Sequence, residues 1–293
     1  MPELPDIEVY LAALQPRIVG QPLTGVRIAS PSLLKTFEPP PEVLADRLVI
    51  ELRRIGKRIA IEFEGNLWIV LHLMIAGRLQ WERSGAKLPG RSGQAAFDFP
   101  SGTLLLTEAG SSHRAGMWVV RGSDLSKHDP GGIEPLSCTA DEFASALRSE
   151  NHTLKRALTS PQLISGIGNA YSDEILHRAK LSPIALTQKL TNAELDRLHR
   201  ATVVILNEWR DKLFDELQGD WPRKVTAFRP DMAVHGKFDK PCPVCRSPVQ
   251  RICYASNETN YCATCQTGGV VLADRSLSRL LKDDWPGRIE DWE

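Results

Sequence analysis

The sequence predicts an α+β protein of several domains. Eight short strand-like runs fill residues 23–121, helical periodicity dominates from about residue 140, and two C-x-x-C pairs close the C-terminal part. Many short alternating runs at close spacing read as a β-sandwich. The order is an N-terminal helix, a β domain, a helical segment, a small metal-binding ribbon and a short tail.

The totals set limits. A chain of 293 residues suits about two domains. With 42% hydrophobic and 25% charged residues it has the composition of an ordinary globular protein with a sizeable core. No apolar run reaches membrane-spanning length, and Glu3, Asp6 and Glu8 occupy the place where a secretory leader carries basic residues. The expectation is a cytoplasmic, monomeric protein with no membrane association. The formal net charge of +0 gives no bulk attraction to nucleic acid, although one basic face can coexist with a neutral total.

The elements follow in order. Ile7, Tyr10, Leu11, Leu14 and Ile18 recur at helical spacing, with Pro5 suited to the start and Gly20 to the stop. Strands are expected at 23–29, 48–54, 58–64, 67–73, 77–82, 95–99, 103–108 and 116–121, divided by turns such as "EGN" and "PSG". Residues 84–94 read as a loop. Helices are expected at 140–149, 151–159, 169–180 and 191–214. Residues 218–231 look irregular, and the cysteine hairpin is expected from about 235.

Four constellations carry chemistry. Cys242 and Cys245, then sixteen residues, then Cys262 and Cys265, form two thiolate knuckles, the pattern for one structural zinc ion. "GIGNAYSDEIL" places Gly166, Gly168 and Asn169 at a helix start. That is either a glycine-rich joint with an Asn cap or a phosphate site using helix-end donors. "RRIGKR" puts four cations within six residues around Lys57, either a solvated hairpin end or a phosphate contact. The opening "MPELPDIE" is either simple punctuation or, once Met1 is removed, a free secondary amine on Pro2 beside Glu3. A terminal amine titrates at about 8, so part of it is neutral and nucleophilic at neutral pH. It can form an iminium with an aldehyde carbon, with Glu3 moving protons.

Taken together, "MPELPDIE", "GKR", "GIGNAYSDEIL" and "HGKFDKPCPVC…NYCATCQ" resemble, in order and spacing, the formamidopyrimidine-DNA glycosylase and endonuclease VIII family of base-excision repair enzymes. The resemblance covers nearly the whole chain. It implies an N-terminal catalytic β-sandwich domain over 1–125, a linker over 126–137, a helix–two-turn–helix DNA-binding domain over 138–234, a zinc finger over 235–267 and a tail over 268–293. It also implies a DNA glycosylase with abasic-site lyase activity. Pro2 would attack C1′, Glu3 would help open the sugar, and Lys57, His72 and Asn169 would grip phosphates around a flipped nucleotide.

Several positions depart from the family pattern. Asn257 stands where the finger-tip arginine usually lies, and Asn carries no charge for a phosphate. The usual lesion excision and δ-elimination therefore do not carry over directly. Asp6 replaces a glutamate. "HLMIAG" replaces "HLGMSG", so Ile75 takes the wedge position. "HRAG" replaces "RRFG", giving His113, Arg114 and a small Ala115. The expectations are an atypical lesion preference and a partner that is damaged DNA, single-stranded or already distorted. The alternative is a noncatalytic DNA-damage binding protein of the same fold. In the tail, Leu277, Leu280, Leu281 and Trp285 form an apolar stripe expected to pack on the body.

Overall fold

The computed structural model describes residues 1–110, 112–217, 219–222, 225–254, 257–273 and 287–291. The apolar stripe expected in the tail lies outside them. The chain divides into two units: residues 1–130 with 209–226, and residues 131–208 with 227–293.

The first unit is a β-sandwich. Helix α1 (Leu4–Ile18) begins at Glu3, in a capping box with Asp6. One sheet has the order β2 (Val49–Ile55), β3 (Arg58–Phe63), β4 (Leu67–His72), β8 (Gly116–Arg121). The other has β1 (Gly25–Ile28), β6 (Gly93–Phe99), β7 (Gly102–Glu108), β5 (Gly77–Glu82). All pairings are antiparallel. Strand periodicity separates two cores. Leu67, Ile69 and Leu71 of β4 face the main core with Ile7, Tyr10 and Leu14 of α1, while Trp68 and Val70 face a smaller cluster with Ala60 and Val120. A 3₁₀ turn over Gly122–His128 lays Leu125 on that smaller cluster, so β4 is buried on both faces.

The registers bring one end of both sheets together. Arg58 lies opposite His72, and His72 opposite Gly116. Gly77 lies opposite Glu108 in the other sheet. The Glu8 carboxylate accepts from Arg54 at 2.8 Å, fixing the start of α1 beside the end of β2. Helix head, "RIGKR" turn, Leu73–Gly77 turn and the loop before Gly116 thus share this end of the sandwich.

The second unit holds α2 (Ala140–Arg148), α3 (Leu154–Thr159), α4 (Asn169–Ala179), the first part of α5 (Asn192–Leu217), and the hairpin β9 (Gln250–Cys253) and β10 (Glu258–Tyr261) with α6 (Ala263–Thr267). Thr139 with Glu142, and Thr191 with Glu194, close reciprocal caps at the starts of α2 and α5. Two boundaries differ from expectation. Helix α3 starts at Leu154 and not at 151, because His152 and Thr153 bond across to Thr187 and Leu186. The regular hairpin starts at Gln250 and not near 235, because the preceding residues build the cysteine knuckle, with Cys242 N–H donating to Ser247 and Arg246 at φ 69°.

Candidate functional site

In the first unit, Glu3 is buried and its backbone N–H donates to the Asp6 carboxylate at 3.0 Å. The shorter Asp6 thus still reaches the backbone of the residue next to the terminus. Pro2 is buried at the helix head. Burial lowers the pKa of the Met1 amine; Glu3 and Asp6 oppose that, and Arg78 and Lys57 add to it. Lys57 follows Gly56, which turns with φ 59°. Burial lowers the Lys57 pKa as well, and the Glu3 charge partly restores it. The structure therefore brings the Met1 amine, one residue before Pro2, into one electrostatic group with Glu3 and Lys57.

His72 ends β4, half-buried, and its pKa falls to about 4 through burial and then the charges of Arg58 and Lys57. It is neutral at pH 7 and can offer a phosphate one N–H. Ile75 is 60% exposed at the apex of the Leu73–Gly77 turn. Met74 adopts φ +52° there, the left-handed region that glycine occupies most easily. The family pattern quoted above has glycine at that place.

The loop before β8 hangs on one carboxylate. Glu108 is 1% exposed and accepts the backbone N–H of Arg114 and of Ala115 at 2.9–3.0 Å. His113 is exposed, with Nδ1 3.4 Å from the Gln94 amide nitrogen, and the Arg114 side chain is exposed and donates to Ser112. Ala115 is buried among the main-core residues, so this position fills the core and carries no wedge.

In the second unit, Gly166 turns with φ 80°, and the cap of α4 is Gly168, with Asn169 the first helical residue. The Asn169 amide donates to the Glu258 carbonyl at 3.0 Å, tying the helix start to β10. Asn257 is exposed, and its carbonyl accepts from Tyr254 N–H at 2.7 Å across the hairpin tip. Behind α4 lies a group the sequence reading missed. Asp173, fully buried, accepts from Lys155 Nζ at 2.5 Å and pairs with His235 Nδ1 at 2.7 Å. Lys155 also donates to the Asn169 carbonyl at 2.7 Å. Glu174 accepts three backbone N–H groups, from Ala233, Val234 and His235. The two adjacent acids thus hold the chain entering the knuckle against α4.

The sulfurs of Cys242, Cys245, Cys262 and Cys265 all lie within 4.8 Å of one another. Cys245 and Cys262 are 3.4 Å apart, Cys242 and Cys265 4.0 Å. A tetrahedron with metal–sulfur bonds of about 2.3 Å requires sulfurs about 3.8 Å apart, so the four cysteines fit a single metal ion. His177 Nε2 stands 3.3 Å from Cys242 Sγ, a partner that orients the ligand. Among the described residues this is the one such cluster. No helix among them is long and apolar enough to cross a membrane.

Fold and site together have the plan of a DNA-binding protein with a zinc-finger-type hairpin. Residues 1–109 match the model of the formamidopyrimidine-DNA glycosylase N-terminal domain, and residues 132–209 that of its H2TH domain. The formamidopyrimidine-DNA glycosylase of Thermus thermophilus is 32% identical over 279 residues, covering 92% of this chain and 100% of that one. An uncharacterized formamidopyrimidine-DNA glycosylase-like protein of Mycobacterium tuberculosis is 40% identical over 155 residues, 52% of this chain and 94% of that one. The crystal structure of MutM (Fpg) from Thermus thermophilus superposes with a TM-score of 0.77 at 30% identity, over 90% of this chain and 98% of that one. The Lactococcus lactis Fpg bound to abasic-site DNA has the same fold, with a TM-score of 0.79 at 23% identity over 90% and 99% of the two chains. The chain belongs to the formamidopyrimidine-DNA glycosylase family.

The sequence motifs located most of these groups. Arg78, by contrast, lies inside a run that reads only as a strand, and the Lys155–Asp173–His235 group is hidden among ordinary helical polar residues. Only the arginine's place directly after the "HLMIAG" turn offers a signal.

Proposed function

We propose that this protein is a DNA glycosylase and abasic-site lyase that works through a Schiff base on Pro2, the amine set free by removal of Met1. The observation that carries the reading is the buried Glu3 at the helix head, directly after the buried Pro2 and in electrostatic contact with Lys57. A carboxylate and a lysine beside the amine that Met1 removal frees are the groups this chemistry requires.

The Pro2 nitrogen forms a bond to C1′ and gives up its proton, as the damaged base leaves with the glycosidic electron pair and takes up a proton. Glu3 delivers a proton to the ring oxygen, the C1′–O4′ bond breaks, and an iminium joins Pro2 to the opened sugar. The iminium acidifies C2′, whose proton is removed as the C3′–O bond breaks and releases the 3′ phosphate. Water then hydrolyses the iminium and regenerates the amine. Lys57 and His72 in one unit, and Asn169 with its second amide hydrogen in the other, are the proposed phosphate contacts. The four cysteines hold zinc, which supports the hairpin and takes no part in the reaction.

The proposed partner is damaged DNA, single-stranded or already distorted, bound by a monomer with an atypical lesion preference. Ile75 is exposed, Ala115 is buried and Asn257 is uncharged, and these support that preference. Equal cleavage of one lesion in paired and single-stranded oligonucleotides would count against it.

The test is borohydride trapping on an oligonucleotide with one abasic site, read by intact mass. The expected result is a covalent adduct with the Met-free chain and none with a chain carrying an uncleaved N-terminal extension. Tight DNA binding without an adduct would make the protein a noncatalytic damage binder.

A further inference from the structure

Arg78 is the first side chain after the Leu73–Gly77 turn. Gly77 N–H closes that turn on the Leu73 carbonyl at 2.8 Å, so tightly that a Cβ on Gly77 would lie 2.2 Å from the same oxygen. Arg78 then reaches back over it. Its Nη1 donates to the Ile75 carbonyl at 3.0 Å and to the Gly77 carbonyl at 2.6 Å. The next residue fixes the strand to the helix that follows the candidate nucleophile, since Leu79 N–H donates to the Tyr10 hydroxyl at 3.3 Å. The guanidinium is therefore held in place on one nitrogen, beside α1.

Two arginines of this unit are taken up by carboxylates, Arg27 by Asp98 and Arg54 by Glu8. Among the described residues no carboxylate lies within ion-pair distance of Arg78, and its Nε and Nη2 make no hydrogen bond. A planar guanidinium with two donors outside its hydrogen bonds matches a phosphate oxygen pair. The charge of Arg78 also acts on the Met1 amine alongside Glu3, Asp6 and Lys57, which places it within a residue of the candidate nucleophile Pro2.

We propose that Arg78 is a DNA-phosphate-binding residue of the lyase site, using Nε and Nη2 on the damaged strand while Nη1 holds the Ile75 turn. The inference rests on the lyase reading above. It gives that unit a guanidinium for the strand in a chain whose hairpin tip carries the neutral Asn257. Arg78 also couples strand binding to the turn that presents Ile75.

The experiment compares the full-length protein with Arg78→Gln and Arg78→Lys on a duplex containing a tetrahydrofuran abasic analogue. Binding is titrated across salt concentrations, and trapping is measured on true abasic DNA. One lost phosphate contact lowers the slope of log K against log[salt] by about 0.9. The expected result for Arg78→Gln is that shallower slope, about tenfold weaker binding at ~0.1 M salt, and a half-saturating DNA concentration for trapping raised in proportion. The trapping rate at saturation changes less than about threefold. Arg78→Lys restores the slope. An unchanged slope in an Arg78→Gln protein with wild-type melting behaviour would reduce Arg78 to a support for the turn, and failure of Arg78→Lys to restore the slope would overturn the proposal equally. An absent wild-type adduct would remove the enzyme reading, while the salt titration still decides the role of Arg78.

Discussion

Met74 shows how one backbone angle constrains the site. A side chain at φ +52° costs about 1–2 kcal/mol, and Met74→Gly is expected to stabilise the first unit by about 1 kcal/mol, read as a higher denaturation midpoint. Glu108 works in the opposite direction. Replacing it with Gln sets an amide hydrogen against the N–H groups of Arg114 and Ala115, and the expected cost is about 1–3 kcal/mol. Hydrogen exchange confined to residues 109–116 is the check. His72 adds a pH dependence. Its folded pKa of about 4 lies below the ordinary 6.5, so between these values the unfolded chain binds a proton that the folded chain refuses. Its contribution to stability is complete above pH 6.5 and is lost as pH falls through about 4. His72→Gln is expected to narrow the stability difference between pH 7.5 and pH 4.5. DNA affinity runs the other way, because a phosphate beside the ring favours its protonated form.

At the scale of elements, the hairpin depends on its metal and on α4. One zinc per chain by mass spectrometry is expected. Chelation should melt β9–β10, and with it the bond from Asn169 to Glu258. Asp173→Asn leaves the ammonium of Lys155 enclosed without its counter-charge, and a loss of about 3–5 kcal/mol is expected by denaturation. The strands were legible because alternation and glycine turns mark them locally. The Cys, Gly-x-Gly-Asn and Gly-Lys-Arg groups were legible because each is a short motif. Asp173 was not, since a buried acid inside a helix looks like any polar position until its partners, 18 and 62 residues away, are known. The start of α3 was misplaced for a similar reason, because residues 185–187 claim the preceding chain.

At the scale of the whole molecule, the division into units does not follow the order of the chain. Helix α5 passes from the second unit to the first at Trp209, and the segment to Thr226 completes the first unit. Trp221 anchors it. The indole lies 5.8 Å from the Tyr10 ring and 6.3 Å from that of Trp81, and its N–H donates to the Leu79 carbonyl at 3.0 Å. Sequence reading found only an irregular stretch here, because a single tryptophan between turns has no periodicity. Trp221→Ala is expected to destabilise the first unit by about 3–5 kcal/mol and to open residues 209–226 to protease. The same anchor bears on synthesis. On a ribosome adding about 5–20 residues per second, Trp81 emerges roughly 7–28 s before Trp221, and Tyr10 earlier still. During that interval the nascent sandwich presents an unfilled aromatic socket, and a chaperone with an apolar cleft would have a binding surface on it until the indole arrives.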